Sequence, residues 1–483
     1  MTTKKKHVIA VDLGAESGRV MRVDLDGARL STHEIHRFPN VPVMANGTLH
    51  WDVLRLWKDI TDGLRAARAD SANPPASIGV DTWGVDFALL DRDGRLLANP
   101  VHYRDRRTEG MMDWVFQRMP RREVFQRTGI QFMPLNGLYQ FASLVRDNSP
   151  LLSVADGFLT IADLFNYWLS GARTCEFTHV TTQQMYNPVA NDWDRELLSC
   201  VELPTRIFPE IVQPGTRIGA YEGVPVILPG CHDTASAVVA VPTSTKNYAY
   251  LSSGTWSLLG LELTEPIIND AAYEANLTNE GGVYGTFRLL KNIAGMWLVQ
   301  QCRAAWARQG TSYDYAYIKQ LAAEAEPFRS FIDPDAPDFF APDDMPAAIR
   351  DYCARTGQPV PETPGQIARA AYEGLAFKYR YVLEKLIDVS GQPVETLHII
   401  GGGSQNDLLC QMTADAIGRR VVAGPAEGTA IGNGIVQLIS LGELADLRQA
   451  RQALAASVAL VVYEPQSTAA WDAEFGRFQK LIV

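Results

Sequence analysis

Apolar residues open each half of this chain in the same rhythm: a short run, a tight loop of small residues, and a second run. Residues 8–11 read as a buried strand and residues 19–25 as its return. Asp26-Gly27 then predicts a hairpin turn into residues 29–38, which alternate moderately. Next the period lengthens. Val53, Leu56, Trp57, Ile60 and Leu64 make one apolar stripe, predicting an amphipathic helix over about 51–68. Strands are expected again at 77–80 and 85–90. The second half repeats much of this order. Residues 248–251 and 257–263 flank its loop, and 283–290 follow as a third strand. Helices are expected at 296–308, 366–388, 405–417 and 429–441, with strands at 397–400 and 421–423. Three strands followed by alternating helices and strands, occurring twice, describe a duplicated α/β fold with mixed sheets. The break falls near Val241-Pro242-Thr243-Ser244-Thr245-Lys246, giving parts 1–242 and 243–483. The stretch 313–364, with its Pro-rich pieces, reads as an elaboration of the second half.

The two loops carry the first chemical hint. A turn that offers successive backbone N–H groups to a phosphate must come close to it, which favours glycine, while Ser and Thr add hydroxyl donors. Gly14, Ser17, Gly18 and Arg19 suit one such loop; Ser252, Ser253, Gly254 and Thr255 suit the other. One alone is as well explained by a plain hairpin turn, but two at matching places in a repeat point to a polyphosphate. Asp12 and Asp81 end strands near the first loop and suit Mg²⁺, though each also suits a turn or cap. Asp233, in His232-Asp233-Thr234, precedes a run of small residues that reads as a helix start. It suits an N-cap or a general base near a sugar hydroxyl. Gly401-Gly402-Gly403 joins a strand to a helix, either as a helix-entry turn or as flat backbone beneath a purine ring. Trp83, Gly84, Asp86 and the cluster Tyr103-Arg104-Asp105-Arg106-Arg107 are candidates for sugar recognition; the arginines suit a solvated ion-pair patch equally well.

Composition narrows the class. Of 483 residues, 46% are hydrophobic and 20% charged, an ordinary globular mixture of a length that suits two large domains. Lys+Arg 44 against Asp+Glu 55 gives −11, which disfavours a sequence-independent nucleic-acid binder. None of the 6 cysteines forms a C-x-x-C pair, so they are expected as reduced thiols rather than zinc ligands. No apolar run reaches the roughly 20 residues that span a bilayer, and the basic start lacks a signal peptide's apolar core. A cytoplasmic protein is the expectation. The chain has no G-x-x-x-x-G-K-[ST], no G-x-G-x-x-G leading into a helix, and no H-R-D with D-F-G, which argues against a P-loop, a Rossmann site and a protein kinase.

Taken together, these residues resemble the FGGY carbohydrate kinases of the actin/hexokinase/Hsp70 superfamily. The motifs that carry the likeness are Asp12-Leu13-Gly14-Ala15-Glu16-Ser17-Gly18-Arg19, His50-Trp51-Asp52, Asp81-Thr82-Trp83-Gly84-Val85-Asp86-Phe87 and Thr128-Gly129-Ile130-Gln131-Phe132. Others are His232-Asp233-Thr234-Ala235-Ser236-Ala237-Val238, Leu251-Ser252-Ser253-Gly254-Thr255-Trp256, Leu290-Lys291-Asn292-Ile293 and Gly401-Gly402-Gly403-Ser404-Gln405-Asn406. The resemblance implies two ribonuclease H-like domains with a cleft between them, the first for sugar and the second for ATP. It implies that Ala15, Glu16, Ser17, Gly18, Arg19 and Thr255 contact ATP phosphates, with Gln300 and Gly402 as further ATP contacts. Gly84, His232, Asp233, Thr234 and Asn292 would hold the sugar, Asp233 would be the base, and Asp12 and Asp81 would serve Mg²⁺. Glu16 departs from the pattern, since some relatives carry Ser there and a carboxylate repels phosphate unless it points away or helps hold the metal. The implied substrate is L-rhamnulose, phosphorylated at its 1-hydroxyl with Mg²⁺-ATP. Another ketose such as L-fuculose or L-xylulose stays open, because pockets separate sugars by few hydrogen bonds. An ATP-driven chaperone or filament former would need a peptide-binding domain or polymerising face, and a sugar-sensing regulator a basic DNA-reading segment; neither is evident. Oligomeric state is not written in the chain.

Overall fold

The computed structural model describes residues 6–69 and 73–482. Residues 1–5, most of the basic start considered above, lie outside the described residues. The chain forms two compact units, neither of them one continuous stretch. The first comprises Met1–Ser244, Glu262–Leu289 and Gly428–Ser457; the second comprises Thr245–Leu261, Leu290–Glu427 and Val458–Val483.

Two mixed sheets repeat one arrangement. In the first, six strands run in the order Arg217–Tyr221, Val224–Ile227, Ile78–Thr82, Lys6–Leu13, Ser17–Asp26, Arg29–Pro39. Lys6–Leu13 pairs antiparallel with its hairpin partner and parallel with Ile78–Thr82. In the second, seven strands run Thr278–Gly281, Phe287–Ala294, Trp256–Leu263, Tyr248–Ser253, Thr396–Ile400, Arg420–Ala423, Val461–Tyr463. Tyr248–Ser253 likewise pairs antiparallel with Trp256–Leu263 and parallel with Thr396–Ile400. Each opening strand is buried on both faces, as Val8 to Val11 show, which is why it reads as an unbroken apolar run. The doubled topology is the ribonuclease H-like α/β architecture.

The expected amphipathic helix forms at Val53–Ala67, begun by Asp52, whose carboxylate accepts from Arg55 N at 3.1 Å. Val53, Leu56, Ile60 and Leu64 are buried, and Trp57 is half-buried. Two strand expectations need correction. The strand expected at 85–90 begins at Phe87, because Val85 has φ 67, a left-handed conformation that no strand residue adopts. The strand expected at 283–290 starts only at Phe287 and runs to Ala294; residues 283–286 form a turn that follows Thr278–Gly281. Tyr284 and Gly285 both take positive φ there, and Gly282 N donates to Thr286 O at 2.8 Å. The apolar look of Val283 and Tyr284 masked a turn.

The helix Gly428–Ser440 belongs to the first unit. It packs on Lys6–Leu13, on Ile78–Thr82 and against the short helix Asp233–Val239. A Cβ on Gly432 would lie 1.7 Å from Ser236 O, so glycine is required for the two helices to approach. The stretch expected as an elaboration lies in the second unit and contains the helices Tyr315–Glu324 and Met345–Arg355.

Candidate active site

In the first unit, strand register sets Asp12 beside Asp81. Asp81 is fully buried; Asn433 Nδ2 donates to its Oδ2 at 2.6 Å, while its Oδ1 has no hydrogen-bond partner. Burial first, and then the charge of Asp12, holds this carboxyl well above its usual range, against the Asn433 bond. A buried carboxylate oxygen without a partner, next to a second carboxylate, fits a divalent cation. The described residues contain no cluster of three or more His, Cys, Asp or Glu able to cage one. Two carboxylates suit Mg²⁺, which keeps much of its water and completes its shell with substrate phosphate.

The loop after Asp12 is closed by Gly14 N donating to Ser17 O at 2.9 Å. Asn40 braces it, donating from N to Glu16 O at 2.9 Å and from Nδ2 to Gly14 O at 3.0 Å. Ala15 is half-buried and Glu16 is exposed. Packing alone requires glycine at Gly18: a Cβ there would lie 2.3 Å from the Phe38 ring. Arg19 donates Nε and Nη2 to Asp12 Oδ2 at 2.9 and 2.7 Å, so its guanidinium is committed to the strand-end carboxylate.

Gly84, His232, Asp233 and Thr234 come together in the same unit. Thr82 pairs with His232 in an isolated parallel bridge, and a Cβ on Gly84 would lie 3.2 Å from His232 Nε2. Asp233 starts the helix Asp233–Val239. Thr234 donates to Asp233 Oδ1 from N at 2.6 Å and from Oγ1 at 3.2 Å. His232 Nε2 lies 3.3 Å from the same oxygen. Although the Asp233 side chain is 29% exposed, lost hydration still lifts its carboxyl above the usual value, opposed by the His232 ring. The result is a carboxylate with one oxygen anchored and a raised proton affinity beside a glycine-lined gap, the chemistry of a general base.

The second unit gathers Thr255, Gln300 and Gly402. Gly254 O accepts from Met296 N at 3.0 Å, and Thr255 O accepts from Gly295 N and Trp297 N, each at 3.1 Å. This stitches the second loop to the start of the helix Trp297–Arg308, one turn before Gln300. Gln300 Oε1 is buried without a partner, the mark of a side chain awaiting a donor. Gly401 and Gly403 press on Ser253, where added Cβ atoms would lie 3.0 Å and 2.0 Å away. Gly402 between them has nothing within 4 Å of its Cβ position and is exposed, a flat open surface. Asn292 lies in this second unit, on Phe287–Ala294.

Sequence reasoning misjudged one residue and missed others. Asp86, a sugar candidate, is fully buried and accepts from Trp51 Nε1 at 2.5 Å, Trp83 Nε1 at 2.8 Å and Gln140 Nε2 at 3.0 Å. It braces the loop instead of facing a ligand; burial lifts its carboxyl to about 6 against these bonds. Arg107 from the basic cluster is likewise half-buried, donating to Gln140 Oε1 at 2.6 Å. Glu176 gave no signal beyond a cap position. Yet its carboxylate accepts from Thr178 N, Thr178 Oγ1, His179 N and Cys231 N at 2.6–3.1 Å, holding the backbone that leads to His232.

Two family models match the chain: "FGGY family of carbohydrate kinases, N-terminal domain" over residues 7–240 and the corresponding C-terminal domain over 249–441. The chain belongs to the FGGY family of carbohydrate kinases. This FGGY kinase is 47% identical to a rhamnulokinase of Bacteroides thetaiotaomicron, the match covering 99% of this chain and 100% of that protein. It is 42% identical to a rhamnulokinase of Pectobacterium carotovorum subsp. carotovorum, over 99% and 96% of the two chains. Among solved structures, a gluconate kinase and a ligand-bound xylulose kinase, both from Lactobacillus acidophilus, superpose on 99% of the FGGY kinase. The match covers 98% and 97% of those chains, with TM-score 0.81 and 17% identity in each case, and shows a common fold. The FGGY kinase is therefore a sugar kinase with ATP as substrate, and none of its described helices is long and apolar enough to cross a membrane.

Proposed function

We propose that this kinase transfers the terminal phosphoryl group of ATP to the 1-hydroxyl of L-rhamnulose, within L-rhamnose breakdown in the cytoplasm. The observation that carries the choice of sugar is the match, over nearly the whole chain, to relatives named rhamnulokinase at 47% and 42% identity. In this reading residues 1–242 carry the sugar site and residues 243–483 the ATP site. Asp233 accepts the proton of the attacking hydroxyl, most simply at Oδ2, because the Thr234 bonds fall on Oδ1. Gly84, His232, Thr234 and Asn292 are the sugar contacts. The loop N–H groups of residues 15–19 and Thr255 receive phosphate oxygens, Gln300 Oε1 accepts from the nucleotide, and Gly402 lies flat against it. Glu16, exposed, stays clear of the phosphates, and only its backbone takes part. Asp12 and Asp81 would hold Mg²⁺, which supplies charge neutralisation to the phosphates. Positioning carries much of the rate, since so little covalent chemistry falls to the protein in phosphoryl transfer.

The deciding assay is ADP release with Mg²⁺-ATP across a panel of ketoses. L-Rhamnulose is expected to give the highest kcat/KM. An L-fuculose or L-xylulose value above it would assign the pocket to that sugar instead. Gly84→Ala tests the pocket wall directly. The new methyl would sit 3.2 Å from His232 Nε2 and 3.3 Å from Thr182 Cγ2, in space the sugar needs. Sugar KM is expected to rise roughly tenfold, about 1.4 kcal/mol, with ATP KM unchanged; an unaltered sugar KM would place the sugar elsewhere.

A further inference from the structure

One buried ion pair in the first unit has no role in the reaction as described. Arg288 is 0% exposed and Glu280 only 4%. Arg288 Nε donates to Gly281 O at 2.9 Å, and Nη2 lies 3.2 Å from Glu280 Oε2. The same Nη2 lies within hydrogen-bond distance of His232 Nδ1, at 3.1 Å. A guanidinium can only donate, so the nitrogen it addresses must be the unprotonated, accepting one. Glu280 Oε2 stands 3.3 Å from Nδ1 and 3.2 Å from Arg288 Nη2; it balances the guanidinium charge and is the acceptor an Nδ1–H ring would turn to. A neutral imidazole with Nδ1 bare carries its proton on Nε2. That nitrogen faces the gap beside Gly84 and lies 3.3 Å from Asp233 Oδ1.

We infer that Arg288, neutralised by Glu280, is a positioning residue that locks His232 in the Nε2–H tautomer, so that the ring is a fixed hydrogen-bond donor in the sugar pocket. The inference rests on the reading of Gly84, His232 and Asp233 as that pocket. Its chemical consequence is a division of labour. His232 gives a hydrogen bond to a sugar oxygen and cannot compete for the hydroxyl proton, which leaves Asp233 as the only base. A pocket with a fixed donor also selects sugars that place an acceptor opposite it, because a sugar lacking one leaves a buried N–H unpaired.

The test reads the tautomer without any ligand. The full chain is labelled with ¹⁵N-histidine, and long-range ¹H–¹⁵N spectra are recorded without sugar or ATP. The His232 signals are assigned by their loss in His232→Asn. The expected pattern is a pyridine-like Nδ1 and a pyrrole-like Nε2. An Nδ1–H ring, or a ring protonated at both nitrogens, overturns the inference. Failure here leaves the substrate assignment standing, and failure of the ketose assay leaves the tautomer standing. A second arm replaces the pair together, Arg288→Met with Glu280→Gln, so that neither charge is left buried alone. The lost lock should mix the tautomers and raise sugar KM roughly tenfold, about the worth of one hydrogen bond to a fixed donor, with ATP KM unchanged. An unchanged sugar KM in the folded double variant overturns it. The wild-type spectrum decides the tautomer whether or not that variant folds.

Discussion

Asp233→Asn is expected to lower turnover by roughly 10²–10⁴-fold, the range for a positioned general base, while sugar affinity stays within a few-fold of wild type. Asparagine keeps the shape of the side chain and an oxygen that can accept from Thr234 N and Oγ1, so the helix start is preserved. What it loses is the capacity to take the hydroxyl proton. The pH profile gives a second readout. Burial raises the Asp233 carboxyl above its ordinary value, and the charge of Asp12 adds to this. A base must be unprotonated to work, so kcat should fall with acid at a higher pH than an exposed aspartate would give. That acid limb should be missing from the residual rate of the variant. Near-normal turnover in Asp233→Asn, with ADP release measured at saturating sugar and ATP, would remove Asp233 as the base.

The second large effect is on stability. In the second unit, Lys378 lies on the long helix Pro364–Ser390 and is 3% exposed. Its Nζ reaches Asp333 Oδ1 at 2.7 Å and Asp335 Oδ2 at 3.0 Å. Burial alone would pull this amine down, but Asp335 and Asp333 overcome it and hold the amine above its ordinary value. Burial pulls nearby Lys291 down to about 8, against the charge of Asp335. Lys378→Met leaves two carboxylates without their cation. Breaking a buried pair from one side costs about 3–5 kcal/mol, and a loss of unfolding free energy of that size is expected from urea titration. Adding Asp333→Asn should recover part of the loss, because the uncompensated charge is the main cost. A shift below about 1 kcal/mol, the scale of surface pairs, would show that the cluster is not dry. The consequence extends to the proposed ATP site. Asp335 Oδ1 accepts from Ala294 N at 2.9 Å, and the next residues, Gly295 to Trp297, fasten the loop at Gly254 and Thr255. ATP KM in Lys378→Met should therefore rise before the chain unfolds.

Much of this was legible in the residues. The two hairpins, the helix at Val53–Ala67 and the glycine turn at 401–403 are written in short-range pattern: apolar runs, a 3.6-residue stripe, glycine where backbones close. The strings around Asp81 and Asp233 identified the family because they are long and specific. Errors came where one residue type serves two ends. Val85 and Tyr284 look like strand residues and take left-handed turns. Asp86 looks like a ligand contact and is a buried brace for two indoles.

The chain by itself determined its elements, its repeat and its family, because each depends on neighbours in sequence. The tertiary structure decided what surrounds them. Only there does Gly428–Ser440 return to the first sheet, where Asn433 donates to Asp81 and Gln437 Nε2 donates to Ile9 O at 3.0 Å. Only there does Arg288 meet His232, across 56 positions of chain. Periodicity and capping are local forces. A buried donor instead takes whichever acceptor the packed core brings within reach, and that choice is made by the whole fold at once.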